Sequence, residues 1–158
     1  MLTHLDKKGN AKIVDISKKN ISERLAIASG KIKISNDVVK EIKSAKNKKG
    51  DVFTVAKIAG IQAAKNTSSQ IPLCHPIKIE NIDIDFIFDS LNNEIEVISK
   101  VNCYEKTGAE MEALNSVTTC LLTIYDMCKA LDKQMIIYDV MLLKKQGGKS
   151  NFNSKKIK

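Results

Sequence analysis

The sequence predicts an α+β fold in which helices pack on one face of a mostly antiparallel sheet. Three observations predict it: stretches of alternating apolar and polar residues, stretches with apolar residues every three or four positions, and the order of these stretches along the chain. A chain of 158 residues has the length of one domain. We therefore expect a single domain over 1–158, with a flexible N-terminal arm at about 1–12 and a flexible C-terminal tail at about 151–158.

The first half of the chain predicts one strand and two helices. In RLAIASGKIKIS, Ile32 and Ile34 alternate with lysines, which is typical of a strand. SNDVVKEIKSA follows with a capping residue and with apolar residues at helical spacing. A second helix begins after the KKGD loop, where Asp51 can cap it, and should end before Pro72.

The second half predicts a hairpin, a long helix and a last strand. Apolar and polar residues alternate in IKIENIDIDFIFD, and a slip of the phase at Asn81 indicates a β-bulge. DSLNNE forms the turn into the strand EIEVISKVNCY, and MIIYDVMLL is the last strand. The helix lies within TGAEMEALNSVTTCLLTIYDMCKAL. Its predicted core-facing stripe consists of Leu114, Val117, Leu121, Ile124, Cys128 and Leu131.

This order of elements, β-α-α-β-β-α-β, is the split βαβ or ferredoxin-like arrangement. Such a fold leaves one face of its sheet without helices. We expect residues such as Ile77, Ile84 and Phe86 on that uncovered face, where the N-terminal arm or a second subunit would have to bury them.

The composition restricts the class of protein and of partner. Hydrophobic residues make up 43% of the chain and charged residues 28%, the proportions of a soluble globular protein. The net charge of +8 favours an anionic partner such as a nucleic acid, a membrane surface or a phosphorylated metabolite. Solvated surface lysines with no ligand explain the same charge.

The cysteines and the N-terminal sequence indicate the compartment. The four cysteines form no C-x-x-C pair, and the first residues lack the apolar stretch of a secretory signal. No run approaches the roughly 18 apolar residues of a membrane helix. We therefore expect a cytoplasmic protein with reduced thiols.

Two short motifs contain candidates for chemistry. Asp126 and Lys129 stand three positions apart in the long helix, so the carboxylate can keep the lysine charged or orient it; a simple surface ion pair is the more common case. His75 lies in IPLCHPIKIE between the only two prolines of the chain, which restrict the backbone around it. A metal site at Cys74 and His75 is disfavoured, because adjacent residues of an extended segment point to opposite faces.

Further polar candidates lie in the long helix and in two lysine-glycine loops. Glu112 falls on the predicted polar face of the helix with Asp126, yet the two are about 21 Å apart along it and cannot contact one small group. QGGKS is no Walker motif, because Leu143 stands where the first glycine is required. Lys145 and Lys149 remain phosphate-binding candidates, as does the KKGD loop at a helix N-terminus.

Five motifs together are similar to those of one known family. KGDVFTVAKIAGIQAAK, IPLCHP, KTGAEMEAL, LTIYDMCKA and GGKS, in this order and at these separations, closely resemble the cyclic pyranopterin monophosphate synthase family, the molybdenum cofactor biosynthesis proteins C. The resemblance extends over roughly residues 10–152. It implies a homohexamer of ferredoxin-like subunits, a trimer of dimers, with active sites at subunit interfaces.

The resemblance also implies a reaction. Such an enzyme is a lyase that converts (8S)-3′,8-cyclo-7,8-dihydroguanosine 5′-triphosphate into cyclic pyranopterin monophosphate and pyrophosphate, in molybdenum cofactor biosynthesis. No tightly bound cofactor, metal site, nucleic acid or membrane partner is implied, and Mg²⁺ accompanying the triphosphate is left open.

Carried over by position, the resemblance assigns roles to particular residues. Asp126, Lys129 and Lys49 match catalytic positions, and which of the two lysines is the acid and which the base is left open. The positions that match substrate-binding or other active-site residues are Leu73, Cys74, His75, Glu110, Met111, Glu112, Lys145 and Lys149. His75 would then be held against the guanine-derived ring or its phosphates, while Lys49, Lys145 and Lys149 supply countercharge to the triphosphate.

Two departures from the family pattern concern the end of the chain. Tyr138-Asp139 stands in the last strand where a Gly-Pro turn is usual, and QGGKSN replaces a more usual SGGKSG. Both affect the terminal loop and leave the Asp126–Lys129 pair intact.

Two alternatives belong to other functional classes. An RNA-binding module of this fold stacks bases on exposed strand aromatics within an RNP1-type motif, but here Phe86 and Phe88 alternate with acidic residues and no such motif occurs. A non-catalytic assembly protein would use the polar face of the long helix only as a contact.

Overall fold

A computed structural model of the chain describes residues 4–6, 8–44 and 51–155. In chain order its elements are β1 (Ser22–Lys33), α1 (Asn36–Ser44), α2 (Val52–Lys65), α3 (Thr67–Gln70), β2 (Ile79–Asp89), β3 (Glu94–Glu105), α4 (Glu110–Cys128), β4 (Ile136–Gln146) and β5 (Phe152–Asn153).

The strands form one sheet in the order β2-β3-β1-β4-β5, and every neighbouring pair is antiparallel. Helices α2 and α4 pack against each other and on the sheet, α4 against β1, β3 and β4 and α2 against β2. With β1 between β3 and β4, this topology is the ferredoxin-like arrangement, which confirms the predicted fold class. Of the helices that the structure describes, none is long and apolar enough to cross a membrane.

Helix α4 supplies the centre of the core. Four residues of the predicted stripe are buried, namely Val117, Leu121, Ile124 and Cys128. A fifth, Leu114, is partly buried and packs against this core. The prediction was wrong at Leu131, which is 52% exposed. Helix α4 ends at Cys128, and the following turn, with the Leu131 N–H bonded to the Cys128 carbonyl, takes Leu131 away from the sheet. A periodic pattern can thus continue beyond the end of the helix that it predicts.

Ile77, Ile84 and Phe86 were predicted on the uncovered face of the sheet, and this prediction was also wrong. Ile84 is 1% exposed and belongs to the core, and Ile77 packs against that core. The ring of Phe86 lies 5.1 Å from that of Phe53 in α2, so these residues lie on the helix-covered face. Alternation determines which residues share a face of a strand, but not which face the helices will cover.

Two predicted local features are confirmed. The register between β2 and β3 shifts between Ile79 and Asn81, which is the expected bulge. Asp51 caps α2, since its carboxylate oxygens accept hydrogen bonds from the backbone N–H groups of Phe53 at 3.3 Å and Thr54 at 3.1 Å. The cap and the bulge therefore follow from the local sequence.

Strand β4 contains a residue in the left-handed region. Asp139 has a φ of +53°, and the register between β1 and β4 shifts opposite it, between Ser29 and Lys31. Residues other than glycine, asparagine and aspartate rarely adopt this conformation. Strand β4 therefore contains a local irregularity at Asp139.

Near its two ends the chain makes local pairings. Leu5 and Ala11 form an antiparallel bridge, and β5 pairs with Lys144 and Lys145 of β4. The extent of the single domain and of its flexible ends stays a prediction.

Candidate functional site

A basic cavity of about 740 Å³ lies where β1 begins and β4 ends. Its walls come from the segment before β1, from the β3–α4 connection and from the loop after β4. Six basic and two acidic side chains line it, an excess of four positive charges. The basic residues are Lys18, Lys19, Arg24, Lys106, Lys145 and Lys149, and the acidic residues are Asp15 and Glu110. Such a cavity favours a polyanionic ligand.

Two of the predicted site residues meet in this cavity. Lys145 is paired with Ala26 near the end of β4, and Glu110 is the first residue of α4. The Lys145 Nζ lies 3.0 Å from the Glu110 Oε1, with both side chains about a third exposed. Lys149 lines the same cavity. The structure therefore brings together Glu110, Lys145 and Lys149, as the resemblance implies.

Arg24 is a functional candidate that the sequence reasoning missed. It is 9% exposed, and its guanidinium donates hydrogen bonds to the carbonyl oxygens of Glu105, at 3.1 Å, and Lys106. A Cβ on Gly148 would lie 2.8 Å from the Arg24 Nη1, so the loop lies directly beside the guanidinium. Arg24 stands in phase with the buried Ala26, and a charge at a core-facing strand position was the available signal.

The remaining missed residues, Lys18, Lys19 and Lys106, gave no such signal. Lysines in polar segments are usually solvated surface residues, and the sequence offers many of them. What brings Lys106 to the cavity is a tertiary contact, in which its ammonium donates to the Ser17 carbonyl at 3.2 Å.

The conformation of the loop after β4 depends on a glycine. Gly147 has a φ of +87°, and a Cβ at this position would lie 1.8 Å from the Glu23 carbonyl oxygen. The Gly147 carbonyl accepts a hydrogen bond from the Ser22 hydroxyl at 2.9 Å. The first glycine of the GGKS motif thus allows the loop to close against the start of β1.

A second group of predicted residues lies beside the first turn of α4. The Cys74 thiol donates a hydrogen bond to the Glu112 Oε1 over 3.7 Å. Leu73, Cys74 and His75 are half-buried in the segment before β2, and Met111 is 39% exposed. The structure therefore places the IPLCHP segment against the helix end that carries Glu110.

Glu112 was predicted on the polar face of the helix, and this prediction was wrong because its side chain is 2% exposed. The IPLCHP segment that contacts it is remote in sequence, so helical periodicity alone could not reveal its burial. Burial raises the pKa of Glu112, an effect that the nearby Glu110 increases; backbone and Cys74 hydrogen bonds oppose it.

Asp126 and Lys129 form an ion pair at the other end of α4. The Lys129 Nζ lies 2.6 Å from the Asp126 Oδ1, and the two side chains are more than half exposed. The hydrogen bond to Asp126 raises the pKa of Lys129 and so favours its charged form. Sixteen residues separate Glu110 from Asp126, about 24 Å along the helix. Within one chain the pair and the basic cavity are therefore far apart.

The N-terminus of α2 lies toward the C-terminal end of α4, where the Asp126–Lys129 pair is found. Helices α2 and α4 run antiparallel, since Asn115 donates to the Ala63 carbonyl at 3.0 Å and Cys120 to the Ala56 carbonyl at 3.2 Å. Continuing both helices brings the N-terminus of α2 to the C-terminal end of α4. Lys49 precedes α2 in sequence but lies outside the described residues.

The described part of the chain contains no group of three or more His, Cys, Asp or Glu side chains that could hold a metal ion. All four cysteines are present as thiols.

The chain is similar to one family of known proteins over most of its length. The sequence model of the MoaC family matches residues 13–148 of the chain. A cyclic pyranopterin monophosphate synthase of Clostridium perfringens (strain 13 / Type A) is 55% identical over 149 residues, which are 94% of each chain.

Two further relatives carry the same name. The protein of Clostridium acetobutylicum is 51% identical over 150 residues, 95% of this chain and 93% of the relative. That of Thermoanaerobacter pseudethanolicus is 48% identical over 156 residues, 99% of each chain. These similarities extend over the cavity, the IPLCHP segment and the Asp126–Lys129 pair alike.

Proposed function

The chain belongs to the MoaC family, and from this premise we propose that it is a cyclic pyranopterin monophosphate synthase, a lyase of molybdenum cofactor biosynthesis. Its substrate would be the 3′,8-cyclised dihydroguanosine triphosphate, and its products the cyclic pyranopterin monophosphate and pyrophosphate. The observation that carries the proposal is identity of about half the residues, over nearly the whole chain, to relatives that bear this name.

The basic cavity supports a triphosphate as part of the substrate. A triphosphate carries up to about four negative charges, which the excess of four positive charges in the cavity would balance. Lys145 and Lys149 would contact the phosphates as point charges, and Arg24 can present a planar guanidinium. The pairing of Lys145 with Glu110 keeps the ammonium directed into the cavity.

We assign the chemical step to the group at the other end of α4. Asp126 would hold Lys129 charged and oriented, so that the ammonium stabilises negative charge or donates a proton as the ring system rearranges. Lys49 would complete this group. The proposed substrate contacts of Leu73, Cys74, His75, Met111 and Glu112 belong to the cavity end of the helix.

A homohexamer, a trimer of dimers, would bring the two ends together between subunits. A separation of about 24 Å exceeds the reach of two side chains on one small substrate, so a neighbouring subunit would supply the Asp126–Lys129 pair to each cavity. We place this assembly in the cytoplasm, in keeping with the four thiols. Any Mg²⁺ would enter with the triphosphate.

The direct test is turnover. Purified protein mixed with the cyclised guanosine triphosphate should release pyrophosphate and form the pterin, followed by the fluorescence of its oxidised product. Addition and chelation of Mg²⁺ in the same assay would measure the role of the metal. A protein that binds this nucleotide but yields neither product would contradict the assignment.

The competing assignment to RNA binding is less well supported. Phe86 and Phe88 both pack against Phe53 on the helix-covered face, with ring centroids at 5.1 and 6.0 Å, so they are not available to stack on bases from the open face. Salt-dependent RNA binding without nucleotide turnover would favour that class instead.

A further inference from the structure

The side-chain amide of Asn115, on α4, makes three hydrogen bonds to a part of the chain that is remote in sequence. Its Nδ2 donates to the Ala63 carbonyl at 3.0 Å, to the Thr67 Oγ1 at 3.2 Å and to the Gln70 Oε1 at 2.9 Å. Because a backbone carbonyl can only accept, the Ala63 contact fixes which way the amide points. The amide nitrogen has two hydrogens, so one of them is shared between two acceptors.

Helix α3 depends on contacts such as these to stay in place. It consists of one turn, Thr67–Gln70, and a helix of one turn is not stable on its own in water. The side chain of its N-cap residue, Asn66, does not cap it and donates to the Gln62 carbonyl instead. Asn115 contacts both the first and the last residue of α3. Its amide therefore fastens α3, and the end of α2 before it, to α4.

The position of α3 determines where His75 lies. His75 follows the end of α3 by five residues, and two prolines restrict the backbone of this segment. The Ile71 N–H donates to the Thr67 carbonyl at 2.9 Å, and the Cys74 N–H donates to the Ile71 carbonyl at 3.0 Å. So short and restricted a segment cannot absorb a shift of α3, which would therefore displace the imidazole.

We propose that Asn115 is a positioning residue, whose amide fixes α3 against α4 and thereby sets the position of His75 in the site. Its Nδ2 is directed at three protein acceptors, so it acts through the segment that it holds and not on the substrate itself. The inference rests on the proposed function where it takes His75 as a substrate contact. The anchoring of α3 does not depend on that function.

Amide hydrogen exchange tests the anchoring. In Asn115→Ala the N–H groups of Ile71 and Cys74 should exchange at least about fivefold faster than in wild type, while the core amides of β3 stay within about twofold. Thr118→Ala is the matched control, since this part-buried hydroxyl on α4 donates to the Leu114 carbonyl of its own helix and its loss should leave the exchange unchanged. Unchanged exchange in Asn115→Ala would overturn the proposal, as would an equal acceleration in β3.

Replacement of Gln70 by alanine is a milder form of the same test. It removes one of the three acceptors at an exposed position, so the fold should be retained even if Asn115→Ala does not fold. The exchange of Ile71 and Cys74 should again be faster, by at least about twofold. Ser69→Ala, a change at an exposed residue of the same turn, is the control. No difference between Gln70→Ala and Ser69→Ala would overturn the anchoring.

A double-mutant cycle tests whether the effect passes through His75. Asn115→Ala should raise the Kd of a non-reactive analogue of the cyclised guanosine triphosphate at least about fivefold, measured by calorimetry. In a His75→Ala background the same change should alter the Kd by no more than about twofold, because the side chain that it positions is gone. Fully additive effects would overturn the positioning role. A wild-type protein that does not bind the analogue would refute the proposed function, and the hydrogen exchange would still decide the anchoring.

Discussion

At the scale of single residues, Lys145 and Lys129 of the candidate site differ in their surroundings. Lys145 is about a third exposed, opposite Glu110 inside a basic cavity, whereas Lys129 is about half exposed and paired with Asp126 near a helix end. The first position suits binding of phosphate oxygens, and the second suits a group that must reach a substrate held elsewhere. Their substitution should therefore affect binding and turnover differently.

Replacement of Lys129 by alanine should abolish turnover while leaving the fold and the size of the oligomer unchanged, because the side chain is exposed and contributes little packing. Steady-state kinetics would measure the turnover, and size-exclusion chromatography would measure the size of the oligomer. Lys133→Ala provides the control, as an exposed lysine nearby that lies outside the motif. Unaltered kinetics in Lys129→Ala would remove this residue from the mechanism.

Replacement of His75 by alanine should weaken substrate binding and lower activity, since the proline-framed segment holds the imidazole half-buried beside the first turn of α4. Isothermal titration calorimetry with a non-reactive substrate analogue would report an increase in Kd of at least about tenfold. His4→Ala is the matched control, since the chain contains only these two histidines and His4 is exposed. Full affinity in His75→Ala would contradict the role.

At the scale of elements, three strands are linked by one polar network on the open face of the sheet. Glu94 of β3 accepts hydrogen bonds from Lys31 of β1, at 2.6 Å, and from the hydroxyl of Tyr138 of β4. These bonds lower the pKa of Glu94, with the Lys31 bond the largest cause. The open face is thus stabilised by charge and hydrogen bonding where apolar residues were predicted.

Glu94→Gln should lower the free energy of unfolding by about 1 kcal/mol at pH 7, since a partly buried charge-assisted hydrogen bond is lost. Because the folded-state pKa of Glu94 lies below its usual 4.5, its stabilisation is present above that pH and is lost as the pH falls through the folded value. Urea denaturation at several pH values would measure the free energy of unfolding of the wild-type protein and of Glu94→Gln.

The difference between wild type and Glu94→Gln should therefore narrow in acid. Glu96→Gln, a change at a half-buried glutamate on the same strand, serves as the comparison. A difference that stays constant from pH 7 to well below 4.5 would exclude the ionic contribution.

The elements themselves follow from local patterns, and the errors arise where tertiary contacts decide. The bulge at Asn81 is predictable because it changes the phase of alternation, and the Asp51 cap because it satisfies backbone N–H groups next to it. The burial of Glu112 and the covered face of Ile84 depend on segments far away in sequence. No local pattern contains that information.

At the scale of the whole molecule, α4 carries two groups of candidate site residues at its opposite ends. Its first turn borders the basic cavity and its last turn carries Asp126, about 24 Å away. The motif order indicated that all these residues belong to one site, but a sequence carries no direct record of which subunit supplies each of them. Mixed oligomers can supply that information.

Lys145→Ala and Lys129→Ala should each be inactive alone and partly active when combined in one oligomer. If each site takes the cavity from one subunit and the ion pair from a neighbour, random mixing in equal amounts leaves about one quarter of the sites intact. Co-expression with two different affinity tags and tandem purification would isolate the mixed oligomers for assay. Mixed oligomers without activity would indicate that each site is built from a single chain.

The left-handed conformation of Asp139 has a consequence for how β4 tolerates mutation. Strand interiors ordinarily favour β-branched side chains, whose Cβ substituents clash with the backbone when φ is positive. In a library that randomises position 139 and is selected for heat resistance, glycine and asparagine should be enriched, and valine and isoleucine should disappear. The rank order of amino acids at this position would thus be the reverse of that at an ordinary position of the same strand.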